Sequence, residues 1–157
     1  TRRSSDLYVM TPEAYFTKAK QALNLPAPTT LQSAYQFGAE ADKLAALVLA
    51  GKKTAAASAR DLYAADEPLP QVGAYGVILN GADEPVCVTY TDAVEVQPFL
   101  AVSADHAYRE GEGDRSLAYW RAVHLAFFKN EYAAEGKQFD PETARIVLES
   151  FHVVYPL

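Results

Sequence analysis

The sequence predicts a single α+β domain, and three observations carry that expectation. Its 157 residues, half of them hydrophobic, are the size of one ordinary domain with ample material for a core. Stretches with apolar side chains at helical spacing occur near the start, in the middle and in the second half of the chain. Between them lie short alternating runs bounded by turn residues, which is how strands read. There is no internal repeat and no low-complexity segment.

In chain order, Thr11-Pro12-Glu13 is a helix start: a capping hydroxyl, proline in the first turn and a carboxylate at the positive end. The helix runs from Pro12 to about Leu23, with Tyr15, Ala19 and Leu23 on one side and Lys18 and Lys20 elsewhere on its surface. A connector with Pro26 and Pro28 follows, so residues 1–30 are expected to be a helix and linker packed on a domain of residues 31–157. A second helix spans residues 39–50 with Leu44, Leu47 and Val48 on one face, and Gly51 suits the left-handed position that ends it. The chain then passes into a strand of very small residues, Thr54 to Arg60. Ala55, Ala57 and Ala59 lie on one of its faces, and Thr54, Ala56, Ser58 and Arg60 on the other. Such a strand lets another layer, or a flat base, approach its backbone closely. Residues 61–70 read as a loop in which Tyr63 edges a pocket. Residues 74–79 and 86–91 flank Asn80-Gly81-Ala82-Asp83-Glu84-Pro85 and form an antiparallel hairpin, whose second strand continues, bent, to Val96 or Phe99. A short helix covers residues 103–108, and a loop of alternating carboxylates and glycines covers residues 110–114. The clearest helix spans residues 116–130, with a stripe of Leu117, Trp120, Val123 and Phe127 widened by His124 and Phe128. Residues 151–155 read as the last strand.

Charge narrows the function. A formal charge of -6 argues against a protein that coats nucleic acid, because each phosphate contact is made against a repulsive field. It leaves room for a local basic pocket, and Lys43, Lys52, Lys53 and Arg60 lie in a stretch with no acidic residue. Lys52 and Lys53 stand where cations favour the negative end of a helix dipole, which is a sufficient structural reason for both. A lysine held in that turn and partly desolvated could also serve as base, nucleophile or phosphate contact. Arg115 and Arg121 are further candidates for phosphate, and Tyr119 for stacking on a base. His106, His124 and His152 lack ligand spacing, and the acidic loop is too short for a calcium loop, so neither metal nor cofactor is expected. Cys87, the single cysteine, has no disulfide partner and reads as a core residue. No Ser-His-Asp pattern, phosphate-binding glycine loop or dinucleotide fingerprint occurs. With no long apolar run and a start at Thr1 rather than Met, the expectation is a soluble cytoplasmic chain, trimmed at its start and without a membrane partner.

Helix, Gly51-Lys52-Lys53-Thr54, then a strand of small residues: this order resembles the ASCH domain, a family of the PUA-like superfamily of RNA-associated β-barrels. Other pieces agree with its larger bacterial members: Phe37-Gly38, Pro68-Leu69-Pro70 with Val72-Gly73, Val94-Glu95-Val96 with Pro98-Phe99, the Glu110 to Ser116 loop, and Tyr119-Trp120-Arg121. The resemblance covers roughly residues 35–155. It implies a PUA-like barrel of about five or six strands with flanking helices.

It also implies RNA as a partner. Some relatives are reported to cut RNA, and small bacterial ones hydrolyse the acetyl amide of acetylcytidine with a lysine, a threonine and a glutamate. The lysine matches Lys53. The threonine falls on Ala56 and the closing arginine of that motif on Ser58, while the glutamate falls on Glu112 or Glu110. The leading expectation is therefore a module for a nucleotide, modified nucleoside or single-stranded RNA, with Lys52, Ser58, Arg60, Arg115 and Tyr119 as contacts. The alternative is a metal-independent hydrolase, a ribonuclease or amidohydrolase, using Lys53 with Thr54 or Ser58 and with Glu112 as proton partner. A structural or protein-interaction domain with a vestigial pocket is a third.

Overall fold

The computed structural model describes residues 10–157, so the first nine residues of the expected N-terminal segment lie outside it. Helix α1 (Pro12–Leu23) begins where its cap was expected, with the Thr11 side chain accepting from the Ala14 amide, and ends on Asn24 in the left-handed conformation. Its Phe16 and Ala19 pack with Val77, Leu79 and Val88 of the sheet. Strand β1 (Leu31–Tyr35) comes next, then α2 (Ala41–Leu49) and β2 (Ala55–Ala59). The hairpin strands β3 (Tyr75–Leu79) and β4 (Pro85–Pro98) follow, then α3 (Ala104–Glu110), α4 (Leu117–Ala134) and β5 (Arg145–Tyr155).

The five strands form one sheet in the order β1-β3-β4-β5-β2, with β1 parallel to β3 and every other pairing antiparallel. This corrects the expected closed barrel. Closure would bring β1 and β2 to within about 4.8 Å of each other as hydrogen-bonded neighbours. Instead β1 pairs with β3 and β2 with β5, and a cavity lined by both edge strands occupies the space between them.

Two further departures come from pairing that local patterns do not carry. Leu31-Gln32-Ser33-Ala34-Tyr35 has no β-branched residue and was not read as a strand; the parallel register Leu31↔Tyr75 to Tyr35↔Ile78 makes it one. β5 starts at Arg145 rather than Phe151, because its first half pairs with β4 on one side and β2 on the other. The bend expected in β4 is present as a register shift between Thr91 and Ala93.

Ser103 caps α3, which runs on to take Glu110 into its last turn. α4 continues past Asn130 to Ala134, and its buried face is Trp120, Phe128 and Tyr132, so Val123, expected in the stripe, is exposed. That face packs with Phe99, Phe139, Ile146 and Leu148, while α2 buries Ala45 and Val48 against Ile78, Cys87 and Phe151. Among the described residues no helix is long and apolar enough to cross a membrane.

Candidate functional site

The junction between α2 and β2 is built from backbone contacts before any side chain is considered. Gly51 has φ +76°, and the amides of Lys52 and Lys53 both donate to the Leu47 carbonyl at 3.0 Å, which turns the chain back on its helix. The Thr54 amide then donates to the Arg109 carbonyl at 2.8 Å, tying the junction to the end of α3. Gly111, at φ +75°, lies so close that a Cβ there would sit 2.5 Å from the Lys52 carbonyl oxygen. Residues 52–54 and 109–111 are thereby held as two touching pieces of chain.

This clamp points Lys53 inward. Its Nζ lies 2.9 Å from Glu112 Oε2 and 3.3 Å from Glu110 Oε1, and the Phe37 ring centroid is 5.1 Å away. Glu110 Oε2 accepts from Trp120 Nε1 at 2.6 Å and bonds His106 Nε2 at 2.7 Å, and His124 Nε2 stands 3.5 Å from Oε1. Burial is the largest single influence on Glu110 and opposes its ionisation. The Lys53 charge and the bonds from His106 and His124 together outweigh it and hold the carboxyl well below its usual range. Both candidate glutamates thus reach Lys53; Glu110 is fully buried and Glu112 partly so.

The basic stretch does not form one positive surface. Lys53 is 2% exposed with its charge opposed by two carboxylates, whereas Lys43, Lys52 and Arg60 are exposed. The Thr54 hydroxyl is directed to the Arg109 carbonyl at 3.4 Å. Arg115 stacks on Tyr108, 3.7 Å from the ring centroid, and donates from Nε to the Tyr108 carbonyl. The Tyr119 ring packs on Gly113, and Arg121 donates to the Leu100 carbonyl.

Ser58 belongs to the cavity instead. This space of about 630 Å³ is lined by both free edges of the sheet. Its walls carry the rings of Tyr35, Phe37, Tyr63 and Tyr75, and Thr89, Thr91 and Glu149 line it from the inner strands. Ser58 Oγ and Tyr63 Oη bond at 2.8 Å, and Thr91 Oγ1 donates to Glu149 Oε2 at 2.6 Å. Burial raises the Glu149 carboxyl above its ordinary range, with the Thr91 bond pulling the other way. Burial likewise raises the phenols of Tyr35 and Tyr63. Glu67 and Glu131 also line the space, and among the described lining residues there is no Lys, Arg or His. Of the candidates read from sequence, Ser58 and the pocket-edging Tyr63 are the ones found in this lining. Glu149 and Thr91 are not singled out for the site by sequence, although the apolar, largely β-branched run Ile146-Val147-Leu148 is a signal for a strand reaching Glu149.

The family model of the ASCH domain matches residues 33–155, nearly the whole sheet and the elements that frame the cavity. The chain belongs to the ASCH domain family. Its fold is similar to that of an ASCH domain from Lactobacillus crispatus JV V101, at 33% identity and TM-score 0.82, with 90% of this chain and 92% of that one covered. A protein from Enterococcus faecalis V583 is similar at 33% identity and TM-score 0.80, with 92% of each chain covered. No curated protein matches. In this ASCH domain, then, the glycine clamp, the inward lysine and the two-edged cavity sit on a backbone shared with both solved structures over nine-tenths of its length.

Proposed function

We propose that this ASCH domain binds a nucleoside, or an unstacked base of single-stranded RNA, in the cavity between β1 and β2. The lining carries the reading. Six aromatic residues and a set of hydroxyl and carboxyl groups, with no cation among the described lining residues, fit a flat heterocycle and disfavour bare phosphate. The volume lies in the range of small-ligand sites, and membership of a family linked to RNA supports the same class. Exposed Lys52 and Arg60 are then available to a phosphate backbone outside the cavity. An RNA ligand implies a cytoplasmic protein.

Two contacts favour this over the hydrolase. Lys53 is enclosed by two carboxylates and an aromatic ring, and neither candidate hydroxyl is directed to it: Thr54 bonds Arg109 and Ser58 bonds Tyr63. Lys53 and Glu112 act here as a structural pair that fixes the loop beside the cavity. The test is titration of labelled single-stranded and duplex RNA against wild type, Tyr35→Ala and Tyr63→Ala at low salt. Each stacked base is worth about 1–3 kcal/mol, so each variant is expected to lose roughly 5- to 150-fold in affinity for the single strand. Binding that survives both substitutions, or duplex bound as well as single strand, overturns the proposal.

A further inference from the structure

We infer that Glu149 selects the base that enters the cavity and that this base presents two adjacent N–H donors, as the Watson–Crick edge of guanine does. The inference rests on the binding reading above and adds its specificity.

Glu149 lies in the middle of the sheet, where β5 is flanked by partners on both sides: Ala56 opposite it on β2 and Val94 on β4. A side chain on such a strand is held more firmly than one on a loop. Thr91, on the adjoining strand, donates to Oε2 and orients the carboxyl, and among the described residues no hydrogen bond engages Oε1. The carboxyl therefore offers the cavity a free oxygen beside an oriented one. Ala56 next to it carries only a methyl group and leaves the approach open, and Tyr35 and Tyr63 supply rings from the two sides.

Burial raises the Glu149 carboxyl while the Thr91 donor favours its ionised form, and an ionised carboxylate only accepts hydrogen bonds. Guanine offers N1–H and N2–H2 side by side and satisfies both oxygens. Adenine and cytosine each place a ring-nitrogen acceptor beside their amino group, and uracil flanks its one N–H with two carbonyls. Each of these three leaves an acceptor facing an acceptor. Glu67 and Glu131 line the same space and add no cation to it. The phenols of Tyr35 and Tyr63 line the same cavity and, raised by burial, stay protonated at neutral pH, so they contribute hydroxyls and no opposing charge.

The test is calorimetric titration of full-length wild type with guanosine, inosine, adenosine, cytidine and uridine, and with short single-stranded oligonucleotides carrying one guanine or none. Guanosine is expected to bind at least about tenfold more tightly than the other three common nucleosides. Inosine, which lacks only the N2 amino group, is expected to lose about as much. In Glu149→Gln the amide presents one acceptor and one donor, so the preference shifts from guanosine towards adenosine and cytidine. Equal binding of guanosine and inosine by wild type overturns the inference without any variant, as does a guanosine preference that persists in a folded Glu149→Gln protein. If nucleosides bind without discrimination, the specificity fails and the binding reading stands. If no nucleoside and no oligonucleotide binds, both are overturned. Guanosine bound with no binding of the guanine oligonucleotide supports the Glu149 contact and identifies a free nucleoside as the ligand.

Discussion

Replacing Lys53 with methionine keeps most of the side-chain volume and removes the charge, and its cost can be worked from the contacts. Lys53 Nζ meets Glu112 at 2.9 Å and Glu110 at 3.3 Å, and Glu110 is 2% exposed, so the substitution strands a carboxylate in the interior. Breaking a buried pair from one side costs about 3–5 kcal/mol. For a domain of this length each kcal/mol moves the melting point by about 2–4 °C, so Lys53→Met is expected to melt roughly 6–20 °C below wild type. The sign of the pH dependence provides a second reading. In wild type the Glu110 carboxyl titrates well below its unfolded value, so its contribution is present above that value and lost only as pH falls through the lowered one. Without Lys53 the largest attraction is gone while burial remains, and the carboxyl moves up. The variant's carboxyl then takes up its proton at a higher pH than that of wild type and is relieved of its stranded charge first, so the gap between variant and wild type is expected to narrow on acidification. Adding Glu110→Gln to Lys53→Met removes the stranded charge and is expected to recover part of the loss. Urea and thermal unfolding from neutral pH into the acid range measure all of this. A Lys53→Met protein within about 1 kcal/mol of wild type at neutral pH would refute the reasoning, and would return Lys53 to the list of groups held for chemistry.

Two other expectations concern the clamp and the core. Gly51 and Gly111 both have φ near +75°, but a Cβ at Gly51 meets nothing within 4 Å whereas one at Gly111 meets the Lys52 carbonyl. Gly51→Ala is therefore expected to cost about 1–2 kcal/mol from the left-handed backbone alone, and Gly111→Ala clearly more, by urea unfolding; equal costs would mean that the close approach is not rigid. Cys87 is fully buried and its thiol is pushed up to about 12 by burial, so the native protein is expected to resist thiol reagents and to react at the rate of opening. Fast labelling under native conditions would contradict the packing of Cys87 against Val48, Ile78 and Phe151.

What could be read from the sequence was what neighbours along the chain decide. The Thr11 cap, the Gly51 stop and the Asn80-Gly81 turn each act within a few residues, and all three elements they bound were expected nearly where they lie. β1 was missed because Leu31 to Tyr35 has no β-branched residue and little intrinsic strand preference, and is made a strand by β3, some 40 residues away. The open edge was missed for a related reason, since closure depends on whether the first and last strands of the order meet. At the site, Lys53, Glu110 and Glu112 were picked out as residues, but their enclosure depends on Gly111 pressing against Lys52, a contact across nearly 60 positions. The cavity was legible at Ser58 and Tyr63 alone, because Glu149 matters only once β5 sets it beside Thr91.

The unjoined edges give the sheet the shape of a ring with one rung missing. β1 carries Tyr35 and β2 carries Ser58, which holds Tyr63; each strand is hydrogen-bonded to the sheet on one side, so the backbone ladder joins the two halves of the wall only the long way round, through β3, β4 and β5, while α2 links them through the chain. A molecule gripped by both walls supplies the missing rung. Occupancy and folding are then coupled in the same free energy, since anything that bridges the gap also fastens the two least anchored strands.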